Sequence, residues 1–150
     1  MSPYRLLREQ LVARPLDEVF SFFSKPENLE AITPAWLHFR TMTVAPSPVQ
    51  TGTLIRYSLR IHGVPLHWTS RIVEWAPPHS FVDEQVRGPY RTWHHTHRFV
   101  AEGNQTRIVD DVLYALPFGP MGRLAHRMKV KSDVEKIFAF REMRIRQMLG

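Results

Sequence analysis

The longest regular pattern of apolar residues lies at the C-terminal end of the chain, over residues 120–149. Apolar side chains recur there at spacings of three and four, which places them on one face of a helix. Charged residues fall mostly outside this face, although Arg141 lies within it. The apolar positions of the face are Val134, Ile137, Phe138, Ile145, Met148 and Leu149. A helix with such a face needs a large apolar surface to pack against.

The beginning of this segment carries a shorter apolar stripe that is rotated away from the later one. It consists of Met121, Leu124 and Met128. An unbroken helix over the whole segment would be ~45 Å long, which is long for a small domain. We therefore expect a bend, or a separate short helix, near residues 129–132.

The rest of the chain predicts one strand, two short helices and then a series of strands. The first strand is expected at 4–13, a helix that starts at Pro15 follows it, and a second short helix is expected at 26–32. Turns rich in Pro and Gly separate the later strands, which are expected at 37–44, 53–61, 66–75, 81–87, 92–101 and 106–116. Consecutive strands with short turns favour an antiparallel meander. With no repeat and no linker, residues 1–150 are predicted to form one α+β domain whose sheet curls around the C-terminal helix.

Composition and charge exclude some classes of protein. No apolar run approaches the ~18 residues of a membrane span, and residues 1–8 lack the form of a signal peptide. The chain has no cysteine, so disulfides and thiol chemistry are excluded and a cytoplasmic location is the default. The net charge is +6, but no nucleic-acid motif accompanies it. We expect no nucleic-acid partner, no stable membrane insertion and no cofactor, and both a monomer and a homodimer remain open.

Alternation along the strands predicts a polar cluster on the inner face of the sheet. In the strand at 92–101, Trp93 and Phe99 share a face with His95 and His97, and these bulky aromatics indicate the inward side. The same alternation places Asp83, Gln85, Asp110 and Tyr114 on neighbouring inner faces, with Ile55, Tyr57, Leu59, Trp68, Ser70 and Ile72 extending the wall. The polar members are therefore expected to lie close together.

Three interpretations of this cluster remain open. In the first it is a structural network, in which Asp110 fixes the tautomer of His95 or His97 and Gln85 satisfies the remaining groups. In the second the polar groups recognise a ligand in an apolar pocket. In the third a buried His–Asp pair works as general acid and base, although no nucleophile or oxyanion hole accompanies it.

Metal binding is a separate hypothesis for the same residues. His95 and His97 with Asp110 would give two imidazoles and one carboxylate. The spacing matches no zinc motif, and the aromatic neighbours make the setting apolar, so we expect no metal. The remaining histidines are expected to face solvent: His38, His62, His67, His79, His94 and His126.

The turn before the C-terminal helix, residues 116–122, lacks the Gly-Lys-Ser/Thr ending of a phosphate-binding loop. We expect it to be a rigid turn that aims the helix. The basic residues that follow are Arg123, Arg127, Lys129 and Lys131. They are expected to be solvated, and docking on an anionic membrane is the alternative.

Several stretches of the sequence resemble one group of known proteins. They are the run from Phe81 to Tyr90, then Trp93, His95, His97 and Phe99, then Asp110, Tyr114 and residues 116–119, and finally residues 137–141. With the order of elements, they resemble the bacterial cyclase/dehydrase-like branch of the SRPBCC superfamily, which includes START domains and birch-pollen-allergen-like proteins. The resemblance covers essentially the whole chain. It implies a helix-grip fold, in which a curved seven-stranded sheet encloses the C-terminal helix and a deep cavity for an apolar small molecule.

Fold alone does not choose among the functions found in that superfamily. Our leading expectation is a carrier or sensor of an apolar or aromatic, lipid- or polyketide-like molecule. The expected ligand-binding residues are Trp93, His95, His97, Asp110, Tyr114, Asp83, Gln85, Tyr57, Trp68 and Phe138. The rival is a cyclase- or dehydratase-type enzyme with His95, His97 and Asp110 as acid and base residues, and a third class is an interaction protein that docks through its basic helix.

Overall fold

The computed structural model describes residues 3–42 and 49–150, which form one antiparallel sheet and a set of helices that pack against it. The strands are β1 Tyr4–Val12, β2 Arg40–Thr41, β3 Leu54–Ile61, β4 Val64–Ala76, β5 Ser80–Arg87, β6 Thr92–Glu102 and β7 Gln105–Ala115. The α-helices are α1 Leu16–Phe23, α2 Asn28–Ala31, α3 Gly119–Ala125 and α4 Lys131–Leu149, and a π-helical turn at His126–Val130 joins the last two. The predicted α+β helix-grip architecture is confirmed.

Neighbouring strands of the sheet follow one another along the chain, except that β1 pairs with β7. The order is β1-β7-β6-β5-β4-β3-β2, and every pairing is antiparallel. The register of β4 against β5 shifts between Thr69 and Ser70 and again between Ile72 and Glu74. Such irregularities bend a strand and increase its twist, which helps the sheet to curve around the helices.

The apolar core fills the space between the concave face of the sheet and the helices. Phe20 of α1 packs edge-on against Phe99 and Phe81, with ring centroids 5.5 and 6.1 Å away. Ile145 of α4 joins the same core. A second cluster lies under the middle of α4 and consists of Val112, Tyr114, Val134 and Phe138. The predicted apolar face of the C-terminal helix is therefore its packed face, although Met148 near its end is exposed.

The expected interruption of the C-terminal helix is a π-turn rather than a break. It covers His126–Val130 and overlaps the predicted position at residues 129–130. A π-turn takes more residues per turn than an α-helix, so it rotates the stripe that follows it relative to the stripe that precedes it.

Gly122 lies so close to the carbonyl of Pro117 that a Cβ would not fit, which explains the glycine at this place. Among the described residues, no helix combines the length and apolar character needed to cross a bilayer.

The prediction of a strand at 37–44 is mostly wrong. Pro34 precedes a 3₁₀ turn at Ala35–Leu37, and His38 takes a left-handed conformation with φ 49° that redirects the chain. Strand pairing with β3 is limited to Arg40–Thr41. Leu37 is buried, but it belongs to this turn and not to a strand. The apolar pattern therefore predicted the wrong element here. The predicted residues 43–44 lie outside the described part of the chain.

Candidate functional site

A cavity of about 450 Å³ lies between the concave face of the sheet and the helices. Strands β3 to β6 form one side of its wall, residues 22–39 form another, and α4 covers it with Ile137, Phe138 and Arg141. The strand residues of the wall are Ile55, Tyr57, Leu59, Ile61, Val64, Leu66, Trp68, Ser70, Ile72, Trp75, Phe81, Asp83, Trp93, His95 and His97. Cavities of this size and apolar character are typical of small-molecule sites.

One part of the wall consists of aromatic rings in mutual contact. The ring centroid of Trp93 lies 5.3 Å from that of Trp68 and 4.8 Å from that of Tyr90. Phe138 stacks 6.5 Å from Trp93 on the helix side. Edge-to-face and offset contacts of this kind hold aromatic rings in place, so this part of the wall offers a preformed surface for another flat or apolar group.

Gln85 supports the aromatic wall and does not join the His–Asp cluster, so that part of the sequence-based interpretation is wrong. Its side-chain amide donates to the carbonyl of Tyr90 at 2.7 Å and accepts from the N–H of Tyr90 at 3.0 Å. These two bonds fix the turn between β5 and β6. The Tyr90 ring is thereby held at the cavity.

The polar part of the wall belongs to two His–Asp pairs, of which His95, His97 and Asp83 contact the cavity. His95 Nε2 lies 2.8 Å from Asp110 Oδ1, and His97 Nε2 lies 2.7 Å from Asp83 Oδ2. In the strand register, His95 faces Asp83 and His97 faces Asp110, so each imidazole reaches the carboxylate on the diagonal. The two rings stack with centroids 3.6 Å apart. An ionised carboxylate only accepts, so each imidazole donates from Nε2 and, when neutral, keeps Nδ1 as an acceptor.

Arg141 closes the polar cluster from the helix side. Its Nη2 lies 3.4 Å from Asp110 Oδ1, and its guanidinium lies 5.4 and 5.6 Å from the ring centroids of Phe23 and Phe138. Its Nε–H is buried and has no hydrogen-bond partner among the described residues. The sequence placed Arg141 in the apolar stripe of the helix but gave it no role. A cation inside such a stripe was the available signal for a buried partner.

Burial and neighbouring charges set the protonation of the cluster. Burial, and then the electrostatic interaction with His95, lowers the pKa of His97 to about 4. Burial alone would raise the pKa of Asp110, but Arg141 and the His95 hydrogen bond outweigh it and hold that pKa well below its usual range. Burial would also raise the pKa of Asp83, but the hydrogen bond from His97 outweighs this effect and lowers that pKa. At neutral pH the cluster thus holds two carboxylates, one guanidinium and a neutral His97.

The same residues form a set of potential metal donors. Within the described ranges, Asp83, His95 and His97 each offer one donor atom, and these atoms lie within 4.8 Å of one another. The carboxylate of this set is Asp83, whereas the Asp110 considered from the sequence contacts His95 and Arg141. Two imidazoles and a carboxylate suit a transition metal. The nearby charge of Arg141 opposes a further cation.

Two residues expected in the ligand site lie behind the wall. Asp110 is buried beneath the histidines, and the Tyr114 hydroxyl lies 2.8 Å from His126 Nε2. Tyr4 stacks on the other side of His126, with ring centroids 3.4 Å apart. Burial raises the pKa of Tyr114 to about 12. The expectation that His126 faces solvent is therefore wrong, because His126 begins the π-turn and points toward β1 and β7.

The other expected site residues contact the cavity. They are Trp93, His95, His97, Asp83, Tyr57, Trp68 and Phe138. Tyr90 also contacts it and was not named as a site residue from the sequence; its place in the run from Phe81 to Tyr90 was the only signal.

Solved structures with low sequence identity share this fold. TTHA0849 from Thermus thermophilus is 19% identical, covers 95% of this chain and 97% of its own, and superposes with a TM-score of 0.66. A START superfamily protein from Mycobacterium smegmatis is 14% identical, with coverages of 96% and 98% and a TM-score of 0.68. Ginseng major latex-like protein 151 from Panax ginseng is 16% identical, with coverages of 91% and 97% and a TM-score of 0.61.

Sequence comparison adds the family to this fold. No curated protein is similar enough in sequence to match the chain. The family described as "Polyketide cyclase / dehydrase and lipid transport" matches residues 12–139, which include the whole cavity wall except Arg141. The chain therefore belongs to this polyketide cyclase/dehydrase and lipid transport family, within the SRPBCC superfamily of hydrophobic-ligand-binding proteins.

Proposed function

We propose that the chain binds an apolar or aromatic small molecule, lipid- or polyketide-like, in the cavity under α4 and serves as its carrier or sensor. The observation that supports this best is the cavity of about 450 Å³ itself. Apolar side chains that face unfilled space lose packing contacts, so such a volume lowers the stability of the protein when nothing fills it. A sequence that retains this volume within an aromatic wall therefore supports the proposal that a ligand binds there.

The cavity wall has an apolar part and a polar part, and the proposed ligand should match both. The rings of Trp68, Tyr90 and Trp93 suit its apolar body, whereas His95 and His97 suit one polar group. Both imidazoles use Nε2 for a carboxylate, and the Nδ1 of His97 lies 3.7 Å from Asp110 Oδ1, so the Nδ1 of His95 is the acceptor that remains for a ligand. We therefore expect a largely apolar molecule that carries a hydroxyl or phenol donor.

Filling the cavity from its wall is expected to weaken ligand binding. Leu59 is buried and faces the cavity, whereas Leu54 is exposed on the same strand. Leu59→Trp should weaken binding of an apolar fluorescent probe, such as anilinonaphthalene sulfonate, by about tenfold or more, because the larger ring occupies the ligand volume. The matched Leu54→Trp variant should change it by less than about twofold. Equal binding by both variants in a fluorescence titration would place the probe elsewhere and reject the cavity as the site.

A cyclase- or dehydratase-type reaction is the second candidate function, and the His97–Asp83 pair on the cavity wall favours it. With a pKa of about 4, His97 is neutral at pH 7, which is the form that a general base requires, and it is a weak base. Asp83 would stabilise the imidazolium that forms. Asp110 does not reach the cavity, so in such an enzyme it would hold His95 in position.

Substitution of the positioning carboxylate tests this second candidate. If the chain turns over any member of a panel of polyketide-like substrates, Asp110→Asn should lower kcat by about 100-fold or more, because His95 loses its ionised partner. Binding of the same substrate should persist, which distinguishes positioning from loss of the cavity. Unchanged kcat in Asp110→Asn would remove the acid–base roles.

A further inference from the structure

The three most exposed large apolar side chains of the described residues lie at the start of the C-terminal helix, together with Leu124. Phe118, Met121 and Met128 expose 81%, 76% and 73% of their surface, and Leu124 exposes 49%. Spacings of three and four residues place them in one row along α3 and the π-turn. Single exposed apolar residues are ordinary, but a contiguous row indicates a surface that another body covers.

Phe118 takes an unfavourable backbone conformation in this row. Its φ is 70°, in the left-handed region that bulky residues seldom adopt, and Gly119 follows with φ 51°. The ring that this conformation presents is largely solvent-exposed. Strain of this kind persists where the surrounding structure imposes it, and it is common at functional sites.

Cations run beside the apolar row. Arg123, Arg127 and Lys131 line a groove on the surface, together with Leu124 and His126. Residues 118–131 also include Lys129 and contain no acidic residue. An exposed apolar row beside a row of cations is the arrangement by which amphipathic helices lie on anionic membranes.

This surface adjoins the ligand cavity. Leu116, just before it in the chain, and Val130, near its end, both contact the cavity. A bilayer that covered the surface would lie next to that end of the cavity. An apolar molecule could then pass between bilayer and cavity with little exposure to water.

We propose that the docking surface, residues 118–131, binds reversibly to an anionic lipid membrane. Phe118, Met121, Leu124 and Met128 enter the interfacial region, and the cations of the groove contact lipid phosphates. A second copy of the chain fits less well, because a symmetric contact would bring identical rows of cations together. Nucleic acid would leave the apolar row uncovered. Docking goes beyond the proposed function, since it requires no ligand in the cavity.

Co-sedimentation with vesicles tests this docking. The protein should bind vesicles of phosphatidylcholine with phosphatidylglycerol, should bind pure phosphatidylcholine far less, and should dissociate as salt is added. Arg127→Gln with Lys131→Gln should weaken binding about 30-fold. Phe118→Asn should weaken it about tenfold, and asparagine tolerates the left-handed conformation, so this variant keeps the fold.

Matched controls use exposed positions on the sheet. Arg60→Gln with Arg71→Gln removes the same charge elsewhere, and Val100→Thr removes an exposed apolar group elsewhere, so both should bind vesicles as the parent does. Equal loss in these controls, equal binding to both kinds of vesicle, or no vesicle binding at all would overturn the proposal. A protein that does not bind vesicles but self-associates or binds nucleic acid would also overturn the proposal, if Arg127→Gln with Lys131→Gln abolishes that other binding. Leu59→Trp should retain vesicle binding, so a failure of the cavity proposal and a failure of docking give different results.

Discussion

Replacement of Arg141 by methionine is expected to lower the free energy of unfolding by about 3–5 kcal/mol, the range for loss of one partner of a buried ion pair. Arg141 is the guanidinium that faces the buried Asp110, and it is itself buried on α4. Methionine keeps an unbranched apolar stem against Phe23 and Phe138, so the expected loss comes mainly from the uncompensated carboxylate and less from packing. Urea unfolding followed by tryptophan fluorescence measures it.

The control for this prediction lies one turn further along the same helix. Arg146 forms an exposed pair with Glu142 at 3.5 Å, and Arg146→Met should cost less than about 1 kcal/mol. Combining Arg141→Met with Asp110→Asn should cost less than the sum of the single losses by about 1 kcal/mol or more, because the removed groups interact. A cost for Arg141→Met no larger than that for Arg146→Met would show that the buried charge network contributes little.

Acidification from pH 7 to pH 4 is expected to lower the free energy of unfolding by about 3 kcal/mol through His97. The folded pKa is about 4, and the unfolded value is about 6.5. Between these values the unfolded chain binds a proton at His97 that the folded chain does not. The stability from His97 is therefore present above pH 6.5 and is lost as the pH falls toward 4. Urea unfolding at a series of pH values measures this slope.

Substitution of His97 separates its contribution from that of the other titrating groups. Burial, followed by the charge of Lys131, also lowers the pKa of His126, so His126 adds loss of the same sign. Asp83 and Asp110 contribute to the loss of stability only at lower pH. The stability that these carboxylates provide is lost below the ordinary pKa of aspartate, as the pH falls toward their lowered pKa values in the folded protein. His97→Gln keeps an N–H for Asp83 and should remove most of the slope between pH 7 and 4, whereas the exposed His67→Gln should keep it. A slope in His97→Gln equal to that of the parent would assign the acid sensitivity to other groups.

The parts of the structure that follow from local periodicity could be predicted from the sequence. Alternation along β6 identified Trp93, His95 and His97 as inward-facing, because successive side chains of a strand point to opposite sides. The three-and-four spacing on the C-terminal helix likewise identified Phe138 and Ile145 as buried. These signals are properties of neighbouring residues and need no knowledge of tertiary contacts.

The pairing of polar groups could not be predicted in this way. Gln85 shares a strand face with Asp83, yet its amide bonds to the turn that holds Tyr90. His126 is buried because the π-turn brings it to Tyr4 on β1 and Tyr114 on β7. Alternation places Asp83 and Asp110 on the inner face of the sheet, but it does not show that each reaches the histidine on the diagonal. Such partners depend on register and helix placement, which are set by the whole fold.

The most direct test of the ligand-binding proposal is the mass of the folded protein purified from the cells in which it occurs, measured by native mass spectrometry. We predict a mass above that of the chain by one small apolar molecule, which is released on denaturation, enters an organic extract and is missing from Leu59→Trp. A native mass equal to that of the chain alone, for protein taken directly from those cells, would contradict the proposal.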